Sequence, residues 1–365
     1  MPPTEQAPST VLSRARCYCG SLDYGVSLPR EILPLSAYIC HCSRCRYIHG
    51  AISITHATLP KGSSLKFFEP SSLALCATQY RPQGSKYYHY FCSTCGCHLG
   101  GRDEHEDVWY LSIVLFPYDE SVFRIDKHCF TASAPGGLHE WLPSIADRPL
   151  DIMNPVQDTH NSQAYKSEVG SNGKERLRAQ CDCGGISFTI QRPTQEVLED
   201  AYMRGYVSPE DPTKWKAMTD ACNDCRLITS TVLSAWAYVP LKLIEPRIGP
   251  DLMHGTMKSY ISSPGSRRTF CRVCGATTLY WSDTRHTTDD DHVIGIAIGL
   301  LRAPEGINAI GWLTWRTAEL GWLDAGSEYA KSLYHSLNQG HQDWSIRAFG
   351  RLVDFKLPKP DVSTD

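Results

Sequence analysis

Apart from Cys76, Cys97 and Cys129, the sixteen cysteines of this chain fall into tight clusters whose spacing suits a metal ion. Thiolates at i and i+2 of an extended segment point to the same side, and Cys-x-x-Cys on a tight turn brings two sulfurs onto one ion. Cys17 and Cys19 with Cys92 and Cys95 supply four thiolates, the saturated tetrahedral set of a structural zinc. Cys181, Cys183, Cys271 and Cys274 offer a second such set. Glycines after Cys19 and Cys95 let the turns curl while backbone N–H groups approach the sulfurs. Sites of this kind contribute on the order of 10 kcal/mol to the folding of small domains.

Cys40, Cys42 and Cys45 can hold a zinc on three corners and leave the fourth open, which is the layout of a reactive metal. Three thiolates give such an ion a net charge of about −1, so it is a weak Lewis acid suited to a soft ligand such as a substrate thiolate, or to polarising an oxygen with help from neighbouring acids. His49 could instead close the site and make it structural. His41 sits between two ligands in an extended run and should point away from the metal. In the second half of the chain Asp220 precedes Cys222 and Cys225 where a cysteine would be expected. An Asp-Cys-Cys set is chemically able to bind zinc, but weakly, and the reading favours lost function there. The expected content is three zinc ions per chain, within a chemical range of two to four. His41, His49 and His89 are the candidates for moving protons, with a packed or surface histidine as the competing reading of His89.

These clusters recur in order, which points to a duplicated scaffold. Ala15–Tyr24 matches Ala179–Phe188, Cys40–Arg46 matches 220–226, and Phe91–Gly96 matches Phe270–Gly275. The spacing agrees except for an insertion of about 16 residues before the second centre, placed around Glu199–Lys216. The implied organisation is a first zinc module at 1–153, a polar linker at 154–174, and a second zinc module at 175–365. Short β-type runs at Tyr87–Phe91, Val108–Phe116, Val232–Val239, Thr277–Trp281 and Val293–Leu300 predict a mainly β fold with short helices. Helical spacing at Ser327–Leu337 predicts a helix capping the second module, and Trp312, Trp315 and Trp322 are expected at a seam between modules.

Composition bounds the function. Charged residues at 21% and hydrophobics at 42% describe a globular chain, and a net charge of −3 without a basic run argues against a nucleic-acid partner. The amino terminus carries no secretory pattern, and no apolar run is long enough to span a membrane, so the cytoplasm is expected. In that reducing setting clustered cysteines read as ligands rather than disulfides.

The elements Cys-x-Cys-Gly (17–20), Cys-His-Cys-x-x-Cys-Arg (40–46) and Phe-Cys-x-x-Cys-Gly (91–96) resemble the glutathione-dependent formaldehyde-activating enzymes, whose module is shared with centromere protein V. The second copy matches the outer two elements and part of the central one. The resemblance implies two tandem β-tent modules, a structural zinc on the outer cysteines and a catalytic zinc on Cys40, Cys42 and Cys45. It further implies carbon–sulfur lyase chemistry on a small thiol adduct or carbonyl compound, with glutathione as a co-substrate to consider. The first copy departs in carrying His89 where a basic residue is common; Arg268 holds that place in the second. A non-catalytic, zinc-stabilised binding module is the alternative.

Overall fold

The computed structural model describes residues 9–154, 165–286, 288 and 291–358. The chain is mainly β, in two sheet-rich modules that each join a small sheet to a large one. In the first, β1 (Thr10–Arg16), β2 (Asp23–Pro29) and β5 (Leu65–Phe67) form the small sheet. The outer strand β1 alternates exposed and covered residues, as a strand with one solvated face must. The large sheet contains β3 (Leu35–Cys40), β4 (Ile54–Thr58), β6 (Ala77–Tyr80), β7 (Tyr87–Cys92), β8 (His98–Asp103), β9 (Val108–Ser112) and β10 (Phe123–Cys129). Their order is β10-β3-β4-β9-β8-β7-β6, with Asp151–Met153 added beside β10.

The second large sheet repeats that order strand for strand: Leu313–Trp315, Trp215–Asp220, Ser234–Pro240, Val293–Ala297, Thr277–Ser282, Ser266–Cys271 and Met257–Ser263. Even the uncommon parallel pair recurs, β3 with β10 and Trp215–Asp220 with Leu313–Trp315. The apolar runs expected to continue to Phe116 and Leu300 both leave the sheet early, into 3₁₀ turns at Ile113–Leu115 and Ile298–Leu300. These turns are fully buried, so hydrophobicity alone could not separate them from strand. Of the linker range, 155–164 lies outside the described residues, and Glu168–Val169 pairs with the strand Glu175–Gln180.

The modules share a continuous core. Phe91 and Phe270, at matching positions, meet with ring centroids 6.3 Å apart. Gly96 and Gly275, at φ +79° and +85°, lie so close to the opposite module that a Cβ would fall 2.6 Å from Phe270 and from His98 respectively. The glycines after the Cys-x-x-Cys pairs therefore serve module packing as well as turn geometry. The helix expected at Ser327–Leu337 extends over Leu323–Phe349, with a non-helical break at Ala330. It covers the first module too: Gly340 abuts the Trp141 carbonyl, and the Tyr329 hydroxyl donates to Phe116 O at 3.1 Å. Trp315 packs against Trp141 across the seam at 5.4 Å and Trp312 is buried, whereas Trp322 is largely exposed. Among the described residues no helix is long and apolar enough to cross a membrane.

Candidate metal centres

The two outer cysteine sets converge. Cys17, Cys19, Cys92 and Cys95 place their sulfurs within 4.8 Å of one another, as do Cys181, Cys183, Cys271 and Cys274. Neighbouring sulfurs stand 3.5–3.6 Å apart in both sets. A tetrahedral zinc with bonds of ~2.3 Å requires about 3.8 Å, whereas a disulfide requires ~2.05 Å, so the spacing fits the ion. Backbone N–H groups point at the sulfurs as expected, Leu22 N at 3.2 Å from Cys17 and Ile186 N at 3.4 Å from Cys181.

The three central cysteines also gather, within 4.8 Å, and among the described residues no further Cys, His, Asp or Glu joins them. Their positions follow from local structure. Cys40 ends β3, and Cys42 caps the short helix α1 (Ser43–His49), its sulfur accepting from Cys45 N at 3.4 Å. Cys45 lies in the first turn, and Gly50 ends the helix at φ +69°. The neighbouring Cys42 and Cys45 sulfurs, and then burial, push the Cys40 thiol well above its ordinary value. Three sulfurs this close, two of them on buried residues, can ionise together only if a cation joins them, which is the electrostatic condition that a divalent metal meets.

A cavity of about 580 Å³ opens onto these sulfurs, and His56, His89 and Cys129 help to line it. Burial lowers His89 to about 4 and His56 to about 3, so both imidazoles are neutral near pH 7. Burial raises the Cys129 thiol to about 11. His41 turns away from the cavity, its Nε2 2.9 Å from His128 Nδ1, while His128 Nε2 faces Leu142 O at 2.8 Å. His49, the last residue of α1, is buried and stacked on His98 at 3.8 Å, and does not line the cavity. His56 escaped the sequence reading because it belongs to no cysteine cluster. Strand pairing was the only signal: Ile54 is opposite Cys40, and position 56 shares its face.

Residues 12–133 match the family model described as glutathione-dependent formaldehyde-activating enzyme. The match lies within the first module and covers about a third of the chain. No curated protein and no solved structure matches the chain.

The matched span ends before the second centre, where Asp220, Cys222 and Cys225 nevertheless approach within 4.8 Å of one another. Asp220 Oδ1 accepts from Cys222 N at 2.9 Å, and Cys222 caps the helix Asn223–Thr229 as Cys42 caps α1. Arg268 is buried and donates from Nη1 to Cys225 Sγ at 3.4 Å. Burial opposes its charge, but Cys225 and then Cys222 outweigh that and hold its pKa up. Tyr280 pairs with Arg268 where Gly101 pairs with His89, and Trp236 and Tyr238 stand where His56 and Thr58 stand. The residues that enclose a cavity in the first module are thus replaced by large side chains in the second.

Each outer loop also reaches the other module's centre. The Tyr18 hydroxyl lies 2.8 Å from Ser262 O and 3.2 Å from Asp224 Oδ2. Asp182 accepts from the Tyr80 hydroxyl at 2.6 Å, and its N donates to Tyr47 O at 3.2 Å.

Proposed function

We propose that the first module is a zinc-dependent, carbon–sulfur lyase-like catalyst acting on a small thiol adduct or carbonyl compound. The observation that carries this reading is the convergence of Cys40, Cys42 and Cys45 at a cavity that also presents His89 and His56. A zinc held by the three sulfurs would favour the thiolate form of a thiol and polarise a carbonyl oxygen. In the joining direction a thiol S–H adds across C=O: the carbon–sulfur bond forms and the thiol proton ends on the carbonyl oxygen. The splitting direction reverses both changes. His89, neutral because it is buried, can accept that proton and return it, and His56 is the second group able to do so. His41 and His49 orient their surroundings rather than face substrate. The second module serves as support, its centre occupied by Arg268, and the zinc content is three per chain: two outer sites and the first centre.

The test is Cys42→Ser in the full chain, assayed for joining glutathione to formaldehyde and for splitting their adduct, with zinc measured on the same sample. Turnover should vanish while two zinc ions and the fold persist. Unchanged turnover would end the reading, and loss of all the zinc would assign Cys42 a structural role instead.

A further inference from the structure

The cavity of the first module is lined by three cations, Arg44, Lys86 and Lys127, and among its described lining residues there is no Asp or Glu. Lys86 is paired with buried Asp103 at 2.7 Å. Arg44 is tied to the turn that carries Lys86 by a bond to Gln83 O at 3.3 Å. Asp182 also faces Arg44, but Arg302 answers it as well. Lys127 makes no ion pair among the described residues. A three-thiolate zinc of about −1 offsets one of these cations, Asp103 offsets another, and about one positive charge remains for a ligand to meet.

The other lining is aromatic. Tyr87 and Tyr110 stand edge to face, 5.4 Å between centroids, and Tyr38 and Phe130 also line the cavity. A volume of about 580 Å³ exceeds what a one-carbon aldehyde needs and falls in the range of drug-sized ligand sites, ~300–1,000 Å³. In the second module the position of Arg44 is taken by Asp224.

We infer that this cavity takes a thiol, or the carbonyl adduct of one, that carries a ring and an anionic group. The sulfur sits at the three-cysteine centre, the ring lies against Tyr87, Tyr110 and Phe130, and the anion faces Arg44, Lys86 and Lys127. The inference rests on the open-site reading proposed above and adds the class of substrate.

The experiment is calorimetric titration of the zinc-loaded full chain with three probes: 4-mercaptobenzoate, its neutral analogue 4-mercaptobenzamide, and 3-mercaptopropionate, which keeps the anion and lacks the ring. The benzoate should bind at least ~10-fold more tightly than either of the others. In an Arg44→Gln/Lys127→Gln double variant with unchanged zinc content, its advantage over the benzamide should shrink to about twofold. Equal affinity of benzoate and benzamide, or an advantage that survives the double variant, would overturn the anionic part. Equal affinity of the ringless probe would overturn the aromatic part. If none of the thiols binds, the open three-cysteine centre itself is refuted, an outcome distinct from binding without preference.

Discussion

The two central sites share a backbone and differ in what fills the space above it. Both begin at the end of the strand that pairs in parallel with its neighbour, both place a cysteine as a helix cap, and both bring three ligand-type atoms within 4.8 Å. In one, glycine, threonine and histidine leave a cavity; in the other, tyrosine, tryptophan and arginine occupy the same register positions. Cysteine geometry is therefore set by the fold, while access to it is set by a few side chains on neighbouring strands. A metal-type cluster by itself does not identify a reactive centre.

The comparison breaks most sharply at the ligands. Cys42→Ser should lower turnover by more than ~10³-fold and remove one zinc, since a two-thiolate remnant no longer fixes the ion. Cys222→Ser should leave turnover and zinc content unchanged. Metal analysis and kinetics on the two variants check this, and a zinc lost from Cys222→Ser would show that the second centre is also loaded.

Acid should divide the modules next. In the first, His56 and His98 are held near 3 and His89 and His128 near 4, chiefly by burial. The unfolded chain takes up these protons near 6.5. Between the two values the unfolded state binds more protons, so the stability contributed by each neutral histidine is complete above pH 6.5 and lost as pH falls. One unit below 6.5 the loss is up to about 1.4 kcal/mol per histidine. The second module has His292 and His341 in this state, both near 3. Hydrogen exchange from pH 7 to 5.5 should show the first module opening before the second; simultaneous opening would mean that the shared core joins them into one cooperative unit.

The parts legible in the sequence were those encoded by rigid chemical spacing. Cysteine pairs with their glycines located both outer sites, and the repeat located both centres. What lay hidden depended on register between distant strands. His56 becomes a cavity residue because β4 pairs with β3, and Gly101 matters because it is opposite His89. Neither relation has a local signature. Alternation along the extended run already aimed His41 away from the metal, as found, whereas nothing local in the sequence showed that α1 turns His49 into the interface. Likewise, the long carboxy-terminal helix showed its apolar period but not its partner, the short helix Leu138–Trp141 of the other module.

Exchanging the residues that differ sharpens the comparison further. His89→Arg would place a guanidinium in the cavity as Arg268 does in the second module; turnover should fall about 100-fold, the size expected for losing a proton-transfer group, with zinc retained. Arg268→His would withdraw the donor to Cys225 and leave the second centre without its buried cation. Losing a hydrogen bond donated by a charged group costs about 1.5–3 kcal/mol, readable as a lower melting temperature. If His89→Arg kept full activity, proton transfer would have to be assigned to His56.

The smallest effects should come from the loops that cross between modules. Tyr80→Phe removes the hydroxyl donated to Asp182, a half-buried carboxylate whose pKa burial already raises. A hydrogen bond to a charged group contributes about 1.5–3 kcal/mol. Tyr18→Phe removes contacts to Ser262 O and to Asp224, at a longer 3.2 Å, and should cost about 1 kcal/mol. Denaturant midpoints of the two variants give the ratio directly. Because Asp182 faces Cys42 and Arg44, Tyr80→Phe should also change turnover severalfold, while Tyr18→Phe, acting at the filled centre, should leave it alone. Equal kinetic effects would show that the crossing loops act only as glue; unequal ones would show that the second module's outer loop helps to shape the first module's reactive site.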